Sequence, residues 1–363
     1  MSEKTSFGNF FEDFRVGQTI AHATPRTITE GDAALYTALT GSRFATTSAD
    51  TFAQQLSFRR APVDNLMAFN VVFGKTVPDI SLNAVANLGY AAGRFGHRVY
   101  PGDTLTAEST VIGLKENRDG QTGIVYVRSR GVNQLGQVAL EFCRWVMIRK
   151  RDAASPAPET VVPELPDAVA VGDLVVPAGI RVENYDTALA GSTDLWDDYR
   201  VGERIDHVDG MTIEESEHMM ATRLYQNTAR VHFNQHAEKD GRFGRRIVYG
   251  GYVISLARAL SFNGLANAFT IVAINGGRHV SPAFAGDTVY AWSEVIDSLS
   301  LPGRNDLGAL RLRTIATKDC RCANFPGRLA DGGYDPSVLL DFDYTVLMPK
   351  KPEPPAALPG STA

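Results

Sequence analysis

The chain has 363 residues, of which 44% are hydrophobic and 21% charged, a composition typical of an ordinary globular protein with one large or two smaller domains. Its 36 basic and 41 acidic residues give a net charge of -5 without a lysine- or arginine-rich block, so nucleic acid is not expected as a partner. No hydrophobic leader and no apolar run long enough for a membrane span occur, and the three cysteines fit neither a disulfide framework nor a zinc site. We therefore expect a cytoplasmic protein with reduced cysteines, no membrane partner and no metal.

The chain contains an internal repeat. Residues 13–42 match residues 198–227 without a gap at an offset of 185, with 11 of 30 positions identical. The relationship returns as RFGHRVYPGDTL (94–105) against RHVSPAFAGDTV (278–289), and again as EFCRWVMIRK against DFDYTVLMPK near the end of each copy. Three matching blocks in the same order indicate a tandem duplication.

The duplication predicts two domains. The N-terminal copy is assigned to residues 1–151 and the C-terminal copy to residues 191–350. Residues 152–190 are rich in Pro, Ala and Val, which predicts an extended linker. The tail, residues 351–363, is predicted to be disordered.

Both copies begin with the same predicted helices. The first helix of each copy is expected over 29–39 and 214–224, because the T-x-x-E spacing of a capping box occurs at each start. In a capping box, the threonine hydroxyl and the glutamate carboxylate accept hydrogen bonds from the free amides of the helix start. The capping pairs are Thr27 with Glu30 and Thr212 with Glu215. In the second copy, VISLARALSF (253–262) is apolar on most faces, which predicts a helix buried nearly all round.

The remainder of each copy alternates polar and apolar residues, which predicts antiparallel strands with one buried face. The predicted strands are 104–114, 123–132, 138–148, 288–296, 309–317 and 339–348. A buried helix followed by such strands predicts an α+β fold, in which an antiparallel sheet wraps around a central helix in each copy.

The polar segment YQNTARVHFN (225–234) precedes the glycine turn YGGY. This order of helix, histidine-containing loop, glycine turn, buried helix and strands resembles the MaoC-like, or type 2 enoyl-CoA, hydratases, which implies a hot-dog fold. Their loop follows a Gly-Asp-x-Asn-Pro-x-His pattern with a glycine eighteen residues after the histidine. His232 and Gly250 have that separation, and Asn227 stands where the family has its aspartate. The duplication resembles the double hot-dog members, in which one copy keeps the chemistry and the other widens the acyl tunnel.

Longer runs are similar to one branch of that family, the mesaconyl-CoA hydratases or β-methylmalyl-CoA dehydratases. These runs are YQNTARVHFNQH, GRFGRR, YGGYVISLARALSFNGLANAF, GSRFATTSADTFA, APVDNL and FGKTVPDISLNAVANLGYA. The resemblance covers nearly the whole chain apart from the linker and tail. It implies reversible syn addition of water to mesaconyl-CoA, in carbon assimilation of the ethylmalonyl-CoA or 3-hydroxypropionate type. Coenzyme A then enters only as part of the substrate, and no cofactor is expected.

Hydration of an enoyl thioester needs a base for water, an acid for the α-carbon and donors for the charge on the thioester oxygen. His232 is the candidate acid/base because imidazole titrates near neutral pH. An isolated loop histidine would more simply be solvated, and the separation from Gly250 argues for function. Gly250 is the candidate oxyanion donor because free amides and the helix dipole meet a developing anion at a helix start. A glycine chosen only for its backbone angles is the alternative, and it explains Gly251 equally well.

Asn227 cannot act as a carboxylate base. Either its amide holds the water and His232 alone carries protons, or a carboxylate comes from elsewhere in the chain. The candidates are Asp64, Glu238 and Asp240, each of which is also explained as a solvated charge.

Several residues are candidates for substrate binding. Arg230 replaces the family's proline, and its guanidinium would hold the free carboxylate of mesaconyl-CoA; an ordinary surface arginine is the alternative. The other candidates for substrate binding are Tyr225, Gly251 and Asp64. For the phosphates of coenzyme A the candidates are Arg43, Arg59, Arg60, Arg245 and Arg246, with an ordinary solvated basic loop as the alternative.

The first copy has Ser42, Thr47 and Asn65 at the positions of Asn227, His232 and Gly250, so we expect it to be catalytically silent. His22 and His207 match across the copies and are therefore predicted to be structural. Two other functions remain open: an acyl-CoA thioesterase of the same fold and a non-catalytic acyl-CoA binding protein. A homo-oligomer is expected.

Overall fold

The computed structural model describes residues 4–352, and its described strands form one antiparallel sheet of ten. The strands are β1 (Thr19–Thr27), β2 (Ala84–Phe95), β3 (Thr104–Glu116), β4 (Thr122–Val132), β5 (Val138–Arg149), β6 (Arg204–Thr212), β7 (Thr270–His279), β8 (Thr288–Ser300), β9 (Leu307–Lys318) and β10 (Val338–Pro349). Their order across the sheet is β1-β3-β4-β5-β2-β7-β10-β9-β8-β6. The first half of the molecule (β1 to β5) meets the second half (β6 to β10) where β2 pairs with β7.

The helices of the described residues lie mostly between the first and second strands of each half. They are α1 (Glu30–Thr40), α2 (Ala45–Ser48), α3 (Asp50–Gln55), α4 (Asn65–Thr76), α5 (Thr187–Ala190), α6 (Glu215–Leu224), α7 (Arg230–Phe233), α8 (Gln235–Glu238), α9 (Gly250–Leu260) and α10 (Phe262–Leu265). Short 3-10 turns occur at Phe11–Asp13, Val171–Asp173 and Trp196–Asp198, and a π-helical turn, Val77–Ser81, extends α4. Within residues 4–352, no helix is long and apolar enough to cross a bilayer.

The predicted duplication is visible in the backbone. The central helices α4 and α9 begin at Asn65 and Gly250, which are 185 positions apart like the starts of β1 and β6. The six predicted strands and the helices of the second half are confirmed, with α9 starting three residues before the predicted 253. The predicted α+β fold, a sheet wrapped around one buried helix per half, is thus confirmed.

The predicted capping boxes are wrong. The N-cap of α1 is Thr29, whose hydroxyl accepts a hydrogen bond from the Asp32 amide at 3.1 Å, while the Asp32 carboxylate accepts from the Thr29 amide at 2.8 Å. Thr27 and Thr212 are instead the last residues of β1 and β6, so their hydroxyls bond to the neighbouring strand. Helix α6 begins after Glu214 without a side-chain cap.

The two central helices pack against one face of the sheet and against each other. Every residue of α4 except Asn65 is buried. The amide of Asn70 donates to the Ser255 hydroxyl (3.1 Å) and to the Gly251 carbonyl (3.3 Å) in α9. A buried polar side chain needs such partners, so this contact holds the two helices in register.

The matched histidines have the predicted structural role. His22 and His207 are buried, and the Nε2 atom of each lies 2.8 Å from a serine hydroxyl on the adjacent strand, Ser109 and Ser293 respectively. The same cross-strand contact thus stabilises both halves.

The predicted linker packs against the sheet. Val161 forms an isolated bridge with Leu114 of β3. Further along, apolar side chains join a cluster with residues of both halves; they are Val169, Leu174, Ile180, Val182 and Ala190. In the predicted disordered tail, the Lys351 amide donates to the Asp197 carboxylate at 2.7 Å, and residues 353–363 lie outside the described residues. The domain boundaries stay a prediction.

Candidate active site

The polar segment after α6 is held against the central helix of the other half. The Tyr225 carbonyl lies so close to Gly74 of α4 that a Cβ added there would come within 1.9 Å of the oxygen. Tyr225 itself is fully buried. Only glycine permits this approach, so the first half determines where the segment carrying Asn227 and His232 runs.

His232 lies on the one-turn helix α7, and its Nδ1 is 3.1 Å from the Ile247 carbonyl oxygen. Since a carbonyl only accepts, Nδ1 carries the proton and Nε2 keeps a free lone pair. Burial lowers the pKa of His232 to about 4, and the hydrogen bond to Ile247 acts in the opposite direction. The residue is partly buried and keeps some contact with solvent. The imidazole is therefore neutral at pH 7 and available as a base.

Asn227 is 5% exposed. Its Oδ1 accepts a hydrogen bond from the Ala229 amide at 2.9 Å, and its Nδ2 has no hydrogen-bond partner among the described residues. The amide therefore has a donor left for a bound molecule. No described carboxylate bonds to His232.

Gly250 and Gly251 begin α9, and both have crowded surroundings. A Cβ on Gly250 would lie 2.3 Å from the Cε1 of His279, and one on Gly251 would lie 2.0 Å from the Oδ1 of Asn70. Close approach therefore requires glycine at both positions. The first amides of a helix lack acceptors within the helix, which makes this start a suitable place for a developing anion.

His279, at the end of β7, belongs to this cluster and was missed in the sequence. Its Nε2 lies 3.1 Å from the hydroxyl of Tyr90 in the first half. Burial, followed by the neighbouring His232, lowers the pKa of His279 to about 4. The repeat could have indicated His279, because the aligned residue in the first copy is Phe95 and a histidine replaces it in the second.

Tyr249 joins the histidine to the aromatic core. Its ring centroid is 5.5 Å from that of His232 and 5.9 Å from that of Tyr225. Its hydroxyl is buried without a hydrogen-bond partner in the described residues. Tyr225 and Tyr249 therefore form an apolar wall that shields one side of the imidazole from water.

A cleft of about 500 Å³ opens beside Asn227 and has walls from both halves. The first half contributes Ala23, Thr24, Gly74, Lys75 and Pro78, and the second contributes Met219, Thr222, Arg223, Gln226, Asn227, Thr228 and Phe233. Asn227 and Phe233 flank the segment that carries His232. The cleft therefore provides space for an acyl group beside Asn227, at the ends of the segment that carries His232, while neither His232 nor Gly250 is among its lining residues.

The structure does not bring every predicted residue to this cluster. Asp64 caps α4 by accepting from the Leu66 amide at 2.8 Å, in a separate small pocket with Ser42 and Thr47 of the first half. Burial raises its pKa. No hydrogen bond joins Asp64 to His232, so its predicted part in the chemistry gains no geometric support.

The predicted arginines of the second half lie on either side of α8 in the chain, and the Arg246 side chain is only 13% exposed. Arg230 and Arg245 are exposed, and the Arg245 guanidinium lies 3.9 Å from the centroid of the Phe284 ring. Arg246 forms an ion pair with Glu215 at 2.8 Å. The other carboxylate candidates, Glu238 and Asp240, lie on or directly after the short helix α8, without a hydrogen bond to His232.

The fold and the site define a double hot-dog protein of the MaoC-like class. The structure of a MaoC domain protein dehydratase from Chloroflexus aurantiacus J-10-fl matches with a TM-score of 0.95 and 70% identity, covering 97% of this chain and 100% of that one. A Mycobacterium tuberculosis protein with a double hotdog fold, 22% identical, matches with a TM-score of 0.71 over 95% and 99% of the two chains and shows the same fold.

The family follows from the sequence comparisons. A family model described as mesaconyl-CoA hydratase matches residues 2–330. The chain is 70% identical over 351 residues to a beta-methylmalyl-CoA dehydratase of Chloroflexus aurantiacus, covering 97% of this chain and 100% of that protein. It is 60% identical over 349 residues to a mesaconyl-CoA hydratase of Cereibacter sphaeroides, covering 96% and 100%. The chain belongs to the mesaconyl-CoA hydratase family.

Proposed function

We propose that the protein is a hydro-lyase that reversibly hydrates mesaconyl-CoA to β-methylmalyl-CoA, with coenzyme A present only in the substrate and no other cofactor. The names of the two relatives support this substrate. The observation that carries the chemistry is the hydrogen bond from His232 Nδ1 to the Ile247 carbonyl, three residues before the start of α9, because it leaves Nε2 as the unprotonated nitrogen. This contact supports a base near the N-terminus of α9.

In the hydration step, Nε2 of His232 takes a proton from water while the water oxygen attacks the β-carbon. The electrons of the double bond move towards the thioester, whose oxygen gains negative charge. The Gly250 amide and the dipole of α9 stabilise that charge. The imidazolium then gives its proton to the α-carbon, so H and OH are added to the same face and His232 returns to its neutral form.

Asn227 orients the water in this scheme. Its Oδ1 is occupied by the Ala229 amide, so Nδ2 is the atom that donates to the water oxygen. This leaves a water proton directed at His232. A catalytic carboxylate is unnecessary in this scheme because one imidazole takes and returns the same proton.

The first half is proposed to be catalytically silent and to complete the cleft. Arg245 and Arg246 remain candidates for the phosphates of coenzyme A, although Arg246 would have to leave Glu215. A cytoplasmic location and a homo-oligomer are part of the same proposal. The three free thiols of Cys143, Cys320 and Cys322 support the first, and light scattering of the purified protein tests the second.

The test follows the enoyl-thioester absorbance of mesaconyl-CoA with the wild type, His232→Ala and Asn227→Asp. We expect the wild type to remove the absorbance, His232→Ala to be slower by about 10³-fold, and Asn227→Asp to keep measurable activity. Thr47→Ala, at the position matching His232 in the first half, is the control and should behave as wild type.

Two results would overturn the proposal. Release of free thiol with the double bond intact would identify a thioesterase. Tight binding of mesaconyl-CoA without any change in absorbance would identify an acyl-CoA binding protein.

A further inference from the structure

Lys75 is a buried cation on the wall of the cleft that contains Asn227. It belongs to the last turn of α4 in the first half, and it is 3% exposed. Its Nζ donates a hydrogen bond to the backbone carbonyl of Thr24, another residue of the same wall. The proposed mechanism gives Lys75 no role.

Lys75 has no carboxylate partner among the described residues. By contrast, the Nζ of Lys150, whose side chain is equally buried, lies 3.0 Å from the Glu116 carboxylate. Burying a cation without a counter-ion is unfavourable, and an apolar side chain of similar length would stabilise the fold better. Fold stability therefore does not explain a lysine at this position.

The cleft has the charge that an anion requires. Its described walls carry two cations, Lys75 and Arg223, and no carboxylate. Burial, with repulsion from Arg26, lowers the pKa of Lys75 to about 8, so the ammonium group still predominates at neutral pH. Asn227 and Phe233 connect this space to the segment that carries His232.

We propose that Lys75 binds the free carboxylate of the dicarboxylic acyl-CoA substrate in this cleft. This inference rests on the proposed function and names the group that selects its substrate class. The second half then supplies the chemistry, and the first half supplies recognition of the second negative charge. Arg230 is the alternative anchor, but its side chain is exposed and does not line the cleft.

The test measures binding of two saturated thioesters, which cannot be hydrated, by titration calorimetry. One is methylsuccinyl-CoA, and the other is the branched thioester of the same skeleton in which a methyl group replaces the free carboxyl. Because Lys75→Met removes a charged hydrogen bond, we expect it to weaken the binding of methylsuccinyl-CoA about 10- to 100-fold. The affinity for the thioester without the free carboxyl should change by less than about 3-fold.

Two control variants complete the experiment. Lys75→Arg keeps the charge and should retain most of the preference for the dicarboxylic thioester, which also covers the case in which Lys75→Met folds poorly. Arg230→Ala removes an exposed cation and should leave the preference unchanged.

Three results would show that the proposal is wrong. Lys75→Met could lose affinity for both thioesters equally, or the wild type could show no preference for the dicarboxylic thioester. The third is a selective loss of affinity for the dicarboxylic thioester in Arg230→Ala instead of Lys75→Met. The outcome is separable from that of the hydration assay. A preference that depends on Lys75 in a protein that does not hydrate mesaconyl-CoA would retain the carboxylate site and remove the hydratase assignment.

Discussion

The two halves place the same backbone around two central helices, but the two helix starts carry different groups. In the second half, Gly250 begins α9 against His279, beside a loop with Asn227 and His232. In the first half, Asn65 begins α4, and its side-chain amide donates to the Ile271 carbonyl at 2.6 Å. The same helix start thus serves a site in one half and the joint between the halves in the other.

The spaces beside the matched residues Ser42 and Asn227 also differ in size. The pocket of the first half, lined by Ser42, Thr47 and Asp64, has a volume of about 20 Å³, whereas the cleft beside Asn227 has about 500 Å³. The first half provides the other wall of the larger space, partly through α4. The comparison teaches that the half with Ser42 and Thr47 at the positions of Asn227 and His232 still contributes to the surroundings of the proposed site, through Gly74, Lys75 and Tyr90.

The largest effect is expected from adding a methyl group at one helix start. Gly250→Ala would place a Cβ 2.3 Å from the His279 ring and displace it from the site. Alanine keeps the backbone N–H, but the clash moves this donor out of place, so we expect kcat to fall about 10²-fold, the effect of misplacing a catalytic group by about 1 Å. The matched change in the first half, Asn65→Ala, removes a hydrogen bond and should cost about 1 kcal/mol of stability with kcat unchanged.

Steady-state kinetics and thermal unfolding of both variants provide the measurement. If Asn65→Ala lowered kcat as strongly as Gly250→Ala, the division between a catalytic and a structural helix start would be wrong.

An intermediate effect is expected from the contact between the halves. His279→Phe installs the residue type that the repeat has at Phe95, and it removes the bond to Tyr90. We expect kcat to fall about 10-fold, because Gly250 and the imidazole of His232 lose a polar neighbour. Tyr90→Phe should give a smaller decrease in the same direction, and unaltered kinetics in both variants would show that His279 only fills space.

The smallest effect concerns stability in acid. Burial lowers the pKa of His207, His232 and His279 to about 4, from an ordinary value of 6.5. The unfolded chain therefore binds protons below pH 6.5 that the native state does not bind until about pH 4. Stability is fully present above pH 6.5 and falls as the pH decreases through this window.

We expect the unfolding temperature to decrease by several degrees, on the order of 5 °C, between pH 7.5 and pH 5. His207→Gln should reduce this dependence without loss of hydratase activity at neutral pH, since the ring nitrogens of His207 bond to Ser293 and Asn263, neither of which belongs to the proposed site. A wild-type unfolding temperature that is constant over this range would contradict the buried neutral state of these histidines.

Local patterns in the sequence determined most of the architecture. The repeat at an offset of 185, the alternation in the strands and the apolar faces of 253–262 predicted both halves, because hydrophobic periodicity reflects which face of an element is buried. The separation of His232 from Gly250, compared with the pattern of the MaoC-like hydratases, predicted the site, and both residues lie on neighbouring segments of one half. The capping boxes failed because T-x-x-E also occurs where a strand ends and its threonine bonds across the sheet.

Only the tertiary structure decided how the two halves share the site. Lys75 and Asn227 are distant in sequence, as are Tyr90 and His279, and each pair meets because β2 pairs with β7 and α4 packs on α9. Burial also lowers the pKa of His232 and encloses Lys75 in a cleft with walls from both halves. Burial is a property of the assembled core, so no local pattern of residues could have predicted it.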